Sequence, residues 1–88
     1  MAVGWAWLDF SALLAEWAKS KTPDQIAAAH ALLDSLPLTH WPTLPGNQLR
    51  GSDEIRDREA QSDGIRVVFT ATPRAPIGIL DLVALEFV

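Results

Sequence analysis

Apolar residues near the N-terminus recur at the spacing of a helix. Four of them follow the i, i+3, i+4, i+7 pattern that places side chains on one helix face: Phe10, Leu13, Leu14 and Trp17. Asp9 or Ser11 can cap the first turn, because a short polar side chain there accepts from a free backbone N–H. The pattern predicts a first helix from about Ser11 to Lys19.

A second helix has the clearest boundary in the sequence. Thr22-Pro23-Asp24-Gln25 combines a capping box with proline at the first helical position. Five residues then share one predicted face: Ile26, Ala29, His30, Leu33 and Leu36. We predict a helix from about Pro23 to Ser35 that Pro37 ends, antiparallel to the first because the link is short. On this face His30 is expected to be partly buried and hydrogen-bonded.

The C-terminal part of the chain has the composition of β-strands. Residues Ile65 to Thr70 are mostly β-branched or aromatic and predict a strand. Thr72 to Pro76 contains two prolines and predicts a turn. Ile77 to Val88 is almost continuously apolar, which indicates an internal strand covered on both faces. We therefore expect a β-hairpin from Ile65 to Val88 that completes the core.

Two further segments are weaker strand candidates. Val3 to Trp7 alternates large and small residues, which is typical of a short strand. The charged run from Asp53 to Glu59 predicts either a polar strand at about Glu54 to Arg58 or a solvated helical turn. The linker from Pro37 to Gly51, which joins the second helix to this charged run, is rich in proline, and we expect Trp41 and Leu44 to hold it against the domain.

These elements define one expected fold class. The 88 residues suit a single domain, spanning 1–88. We predict an α+β domain with an N-terminal helical hairpin packed on an antiparallel sheet of three or four strands. No apolar run approaches the roughly 18 residues of a membrane span, and the N-terminus lacks the basic region of a signal peptide. We expect a cytoplasmic protein with no membrane partner.

Charge and ligand types narrow the chemistry. The net charge is −4, and neither half of the chain is basic, whereas nucleic-acid binders usually carry a positive patch. There is no cysteine, and the two histidines lack the spacing of metal ligands. A glycine-rich phosphate loop is also absent from the sequence. We therefore expect neither a metal nor a cofactor.

Four short motifs follow one another in the second half of the chain. They are Leu49-Arg50-Gly51, Glu54-Ile55-Arg56, Gly64-Ile65-Arg66-Val67-Val68-Phe69 and Ile77-Gly78-Ile79-Leu80-Asp81-Leu82. This order resembles the RelE/HigB-like toxins of bacterial toxin–antitoxin systems, in the RelE/ParE superfamily. In that family an L-K/R-G step precedes a Glu-Leu-Arg strand, a Tyr/Ile-Arg-Val strand, a turn and an apolar strand. The motifs are short and degenerate, so the resemblance is one of layout across most of the chain.

The resemblance implies cleavage of mRNA, free or on the ribosome, by a toxin that an antitoxin neutralises; the ParE branch poisons gyrase instead. Such cleavage requires cations at the scissile phosphate and a base for the ribose 2′-OH. Arg56 and Arg66 match the family's sheet arginines and are the catalytic candidates. Arg58 and Arg74 are candidates for substrate binding. The alternative for Arg56, Arg58 and Arg66 is ordinary surface pairing with nearby carboxylates, namely Asp53, Glu54, Asp57 and Glu59.

A second hypothesis is a non-catalytic binding protein. The chain is small and acidic, lacks tyrosine and contains four tryptophans. It could be a phage- or mobile-element-encoded inhibitor of the anti-CRISPR type, which occupies the surface of a host protein complex. Trp5, Trp7 and Trp41 would then be protein-binding anchors, since tryptophan is enriched in interface hot spots. Core packing is the alternative for at least two of them.

Overall fold

The structure, a computed structural model, describes residues 4–87. Seven helices and strands follow one another along the chain: β1 (Gly4–Trp7), α1 (Ser11–Ala18), α2 (Pro23–Ser35), β2 (Asn47–Gln48), β3 (Asp57–Ser62), β4 (Ile65–Thr72) and β5 (Ile77–Phe87). A 3-10 turn, Leu36–Leu38, follows α2. The fold is α+β, with one strand before the two helices and four after them.

The helices begin where the sequence predicts. The Thr22 side chain accepts from the Gln25 backbone N–H at 3.2 Å, and the Gln25 side chain accepts from the Thr22 N–H at 2.9 Å. This reciprocal capping box fixes the start of α2 at Pro23, and the helix ends at Ser35 as predicted. At α1 the carboxylate of Asp9 accepts the Ser11 N–H at 2.9 Å.

The prediction for His30 is wrong, because this side chain is exposed. The buried residues of α2 are Ala29, Leu32 and Leu33. The centre of the inward face is therefore near Ala29, and His30, the next residue, points about 100° away from Ala29 around the helix axis. The imidazole therefore falls beside the buried stripe.

The sheet has five strands in the order β1-β5-β4-β3-β2. Strand β1 pairs with β5 in parallel, and all other pairs are antiparallel. The predicted sheet of three or four antiparallel strands is therefore corrected to a mixed sheet of five. Two of the predicted strands include Val3 and Val88, which lie outside the described residues.

The charged segment differs most from its prediction. Strand β3 begins at Asp57, because residues 54–57 form a turn in which the Asp57 N–H donates to the Glu54 carbonyl at 3.1 Å. The expected linker contains the short edge strand β2. Trp41 and Leu44 are partly buried against the core, as predicted for residues that hold this segment.

The two faces of the sheet have different environments. Both helices pack on the inner face, α1 over β5 and α2 over β3 and β4. The buried strand residues on this side are Ile65, Val67, Phe69, Ala71, Leu80, Leu82 and Leu85. Burial alternates along β5, so the prediction that this strand is covered on both faces is wrong. We call the uncovered side, which bears Glu59, Gln61, Arg66 and Glu86, the open face.

Within residues 4–87, no helix is both long enough and apolar enough to cross a membrane.

Candidate functional site

A shallow pocket of about 320 Å³ lies on the open face, lined by Arg50, Glu59, Gln61 and Arg66. Glu59 and Gln61 point to the same side because alternate residues of a strand share a face. The register of β3 and β4 sets Gln61 directly opposite Arg66. Arg50 arrives from the loop between β2 and β3, so the pocket joins a loop to the centre of the sheet.

Glu59 is the most enclosed carboxylate of this pocket, with its side chain 14% exposed. Its Oε2 atom accepts from the Arg50 backbone N–H at 3.0 Å and from Arg66 Nη2 at 3.2 Å. The bond from the Arg50 N–H is the main cause that lowers the pKa of Glu59, with a smaller contribution from Arg66. The carboxylate is therefore ionised at neutral pH.

Arg66 connects two carboxylates across the open face. Besides its contact with Glu59, its Nη1 atom donates to Glu86 Oε2 at 2.9 Å. Glu86 is the cross-strand neighbour of Arg66 on β5. The bond to Glu59 is the largest cause that raises the pKa of Arg66, and Glu86 adds to it. The guanidinium is thus held as a cation with a fixed orientation.

Arg58 lies outside this pocket, on the inner face of the same strand. Its side chain donates from Nε to Pro45 O at 2.9 Å, from Nη1 to Ile55 O at 3.0 Å and from Nη2 to Gly46 O at 2.8 Å. The residue is buried, at 8% exposure. Its guanidinium therefore ties the residues just before β2 to the turn just before β3.

The remaining candidate arginines are also separate from Arg66. The Arg56 carbonyl accepts the Ala71 N–H, and Ala71 is five residues beyond Arg66 on β4. Five residues of a strand, at about 3.3 Å each, place Ala71, and with it the neighbouring Arg56 backbone, about 16 Å from Arg66. The Arg56 side chain is exposed and contacts Glu54 at 3.3 Å. Arg74 lies in the exposed turn between β4 and β5.

The structure thus brings Arg66 together with Arg50, Glu59 and Gln61. The sequence predicts Glu59 only as a possible ion-pair partner of the arginines, which its contact with Arg66 confirms, and Arg50 only as part of the Leu49-Arg50-Gly51 motif. Glu59 and Gln61 carry no distinctive local signal, because they become neighbours of Arg66 only through the pairing of β3 with β4. Reading that register from the Asp63–Gly64 turn would have identified them, since both residues have the positive φ typical of a two-residue hairpin.

The three candidate tryptophan anchors make internal contacts. Trp5 is buried at 6% exposure and packs against Trp41 with ring centroids 5.3 Å apart. The Trp7 indole N–H donates to the Leu33 carbonyl at 2.8 Å, and the ring meets Phe69 edge-on. These contacts attach β1 and the linker to the core.

Among residues 4–87, no group of three or more histidine or carboxylate side chains is placed to hold a metal ion. The open-face pocket instead combines one enclosed carboxylate with two arginines. A carboxylate can accept a proton from a hydroxyl, and guanidinium groups stabilise negative charge that develops on a phosphate. The arrangement therefore places an ionised carboxylate, whose lowered pKa makes it a weaker base, beside two groups that can bind an anion such as phosphate.

Comparison with known protein families, with curated proteins and with solved structures found no match for this chain.

Proposed function

We propose that this chain is a RelE/HigB-like toxin component, an mRNA endoribonuclease that is neutralised by an antitoxin protein. The observation that carries the proposal is the direct contact of Glu59 with Arg66, at 3.2 Å, inside the open-face pocket. Proton transfer and phosphate stabilisation require these two kinds of group side by side. RNA supplies the third requirement, a 2′-OH next to each phosphate.

The roles follow from the chemistry of each side chain. Glu59 accepts the 2′-OH proton as the new bond from O2′ to phosphorus forms. The bond from phosphorus to the 5′-oxygen then breaks, and that oxygen takes a proton from water. The products are a 2′,3′-cyclic phosphate and a 5′-hydroxyl end. Arg66 and Arg50 bind the phosphate oxygens, whose charge grows in the transition state.

The order of elements supports the same proposal. Two helices precede the meander of β3, β4 and β5, and the motifs that carry the resemblance fall on this meander and its approach. Arg66 lies on β4, and Ile77–Leu82 forms the first half of β5. Glu54-Ile55-Arg56 departs from the expected pattern, since it lies in the turn before β3.

Growth arrest on expression tests the proposal. Wild-type chain should arrest bacterial growth, and Glu59→Gln should relieve the arrest, because loss of a general base costs about 10²- to 10⁴-fold in rate. Glu16→Gln, on the exposed surface of α1, is the matched control and should still arrest growth. Circular dichroism confirms that each variant is folded. Absence of arrest by wild type, or arrest by folded Glu59→Gln, would refute the assignment.

One observation favours the second candidate, an inhibitor that binds a host protein complex. The open face of β5 exposes the apolar side chains Ile77 and Val83, at 48% and 55%. Under this alternative, Val83→Asp abolishes the biological effect of expression while Glu59→Gln preserves it. The nuclease proposal predicts that Glu59→Gln abolishes the effect.

A further inference from the structure

The two carboxylates that contact Arg66 are placed very differently. Glu59 is 14% exposed and also receives the Arg50 N–H, so the fold holds it in position. The Glu86 side chain is 45% exposed, and the only hydrogen bond of its carboxylate within residues 4–87 is the one to Arg66 Nη1. Glu59 is thus held in the pocket, whereas the more exposed Glu86 carboxylate, which does not line the pocket, can turn away from Arg66.

Glu86 also occupies one of the positions on Arg66 that an anion can take. A carboxylate and a phosphate both accept from guanidinium N–H groups at about 2.7–2.9 Å. Glu86 Oε2 lies 2.9 Å from Nη1 of Arg66, while Nη2 is taken by Glu59. A phosphate that binds Arg66 without disturbing Glu59 therefore lies beside the Glu86 carboxylate, whether it takes the Nη1 contact or one of the remaining N–H groups.

We propose that Glu86 is the affinity-determining residue of the phosphate subsite on Arg66, because its carboxylate already holds one donor of Arg66 and its negative charge opposes an incoming phosphodiester. This inference rests on the proposed function for its substrate, an RNA phosphodiester. An exposed ion pair contributes little to stability, so it breaks readily when a competing anion arrives.

The charge of the site gives the expected size of the effect. Arg50 and Arg66 face Glu59 and Glu86, so the four side chains together are neutral. Replacing Glu86 with glutamine removes one negative charge within a few ångströms of the incoming anion. Two like charges at that distance near a protein surface repel enough to change affinity roughly tenfold. We expect Glu86→Gln to bind phosphate about ten times more tightly than wild type.

Two probes separate this inference from the proposed function. Inorganic phosphate and a 2′-O-methyl dinucleotide, which cannot be cleaved, are each titrated into the full chain, and the Arg66 side-chain Nε–H signal is followed by NMR. Glu86→Gln should lower the Kd of both ligands about tenfold, and Glu16→Gln should leave it unchanged. Arg66→Gln should abolish the tight binding of Glu86→Gln.

Three outcomes would overturn the inference. These are an unchanged Kd in Glu86→Gln, tight phosphate binding that survives loss of Arg66, and no binding by any variant. If Glu86→Gln binds both ligands more tightly while the wild-type chain cleaves no RNA, the subsite assignment stands and the nuclease assignment fails.

Discussion

Replacing Arg58 with methionine should destabilise the fold by about 2.5–5 kcal/mol, a value that follows from the three carbonyls that its guanidinium holds. The bond to Pro45 O is buried, and Pro45 is among the fully buried residues, so water cannot replace the lost donor. Such a bond from a charged group contributes about 1.5–3 kcal/mol. The bonds to Ile55 O and Gly46 O are only partly buried, and water can substitute there at a cost of about 0.5–1 kcal/mol each.

This loss is large compared with the stability of such a domain, which is about 5–15 kcal/mol. Methionine keeps most of the side-chain packing, so the change isolates the hydrogen bonds. Arg58→Lys should lose less, because an ammonium can still donate to one or two of the carbonyls.

Urea unfolding followed by tryptophan fluorescence measures the effect. Arg74→Met is the control, since this arginine is exposed in the turn between β4 and β5 and should change stability by less than about 0.5 kcal/mol. A loss below about 1 kcal/mol in Arg58→Met would refute the reasoning, because unsatisfied buried carbonyls cost at least that much.

Two further changes test other parts of the structure. Gly78→Ala should lower stability by about 1–3 kcal/mol in thermal unfolding, because its Cβ would lie 2.5 Å from the buried Trp5 ring; Gly4→Ala, with nothing within 4 Å, should change little. The hydrogen bond from the Arg50 N–H, and to a smaller extent the one from Arg66, holds the pKa of Glu59 below its ordinary value. The stability that ionised Glu59 contributes is therefore present above its pKa in the unfolded chain, and it is lost as the pH falls through the lower pKa of the folded state. Glu59→Gln should therefore flatten the acid limb of stability against pH, and an unchanged acid limb would contradict this assignment.

Local signals account for the parts of the fold that were predicted correctly. The start of α2 depends on hydrogen bonds between Thr22 and Gln25, which are three residues apart, so the sequence alone reveals it. Strand β4 is likewise indicated by its own β-branched residues. The parallel pairing of β1 with β5 could not be predicted in this way, because it joins Gly4 to Ile77 at opposite ends of the chain.

In the candidate site, too, local sequence signals predict some residues, whereas others depend on contacts between strands. Arg66 was selected from a short motif, and the structure places it in the pocket. Glu59 is predicted only as an ion-pair partner, and Gln61 not at all, because their place beside Arg66 in the pocket depends on strand register rather than on their neighbours in sequence. Arg58 is a charged residue within a charged run. Nothing in that run indicates that its guanidinium is buried and donates hydrogen bonds to the carbonyls of Pro45, Gly46 and Ile55.

The most direct test of the central claim is to map 5′-hydroxyl ends of mRNA in cells that express the chain. This readout registers cleavage of both free and ribosome-bound mRNA. Wild-type chain should create new 5′-hydroxyl ends within minutes of induction, Glu16→Gln should create the same ends, and folded Glu59→Gln should create almost none. The same ends in Glu59→Gln, or none with wild type, would contradict the assignment of RNA cleavage to the open-face pocket.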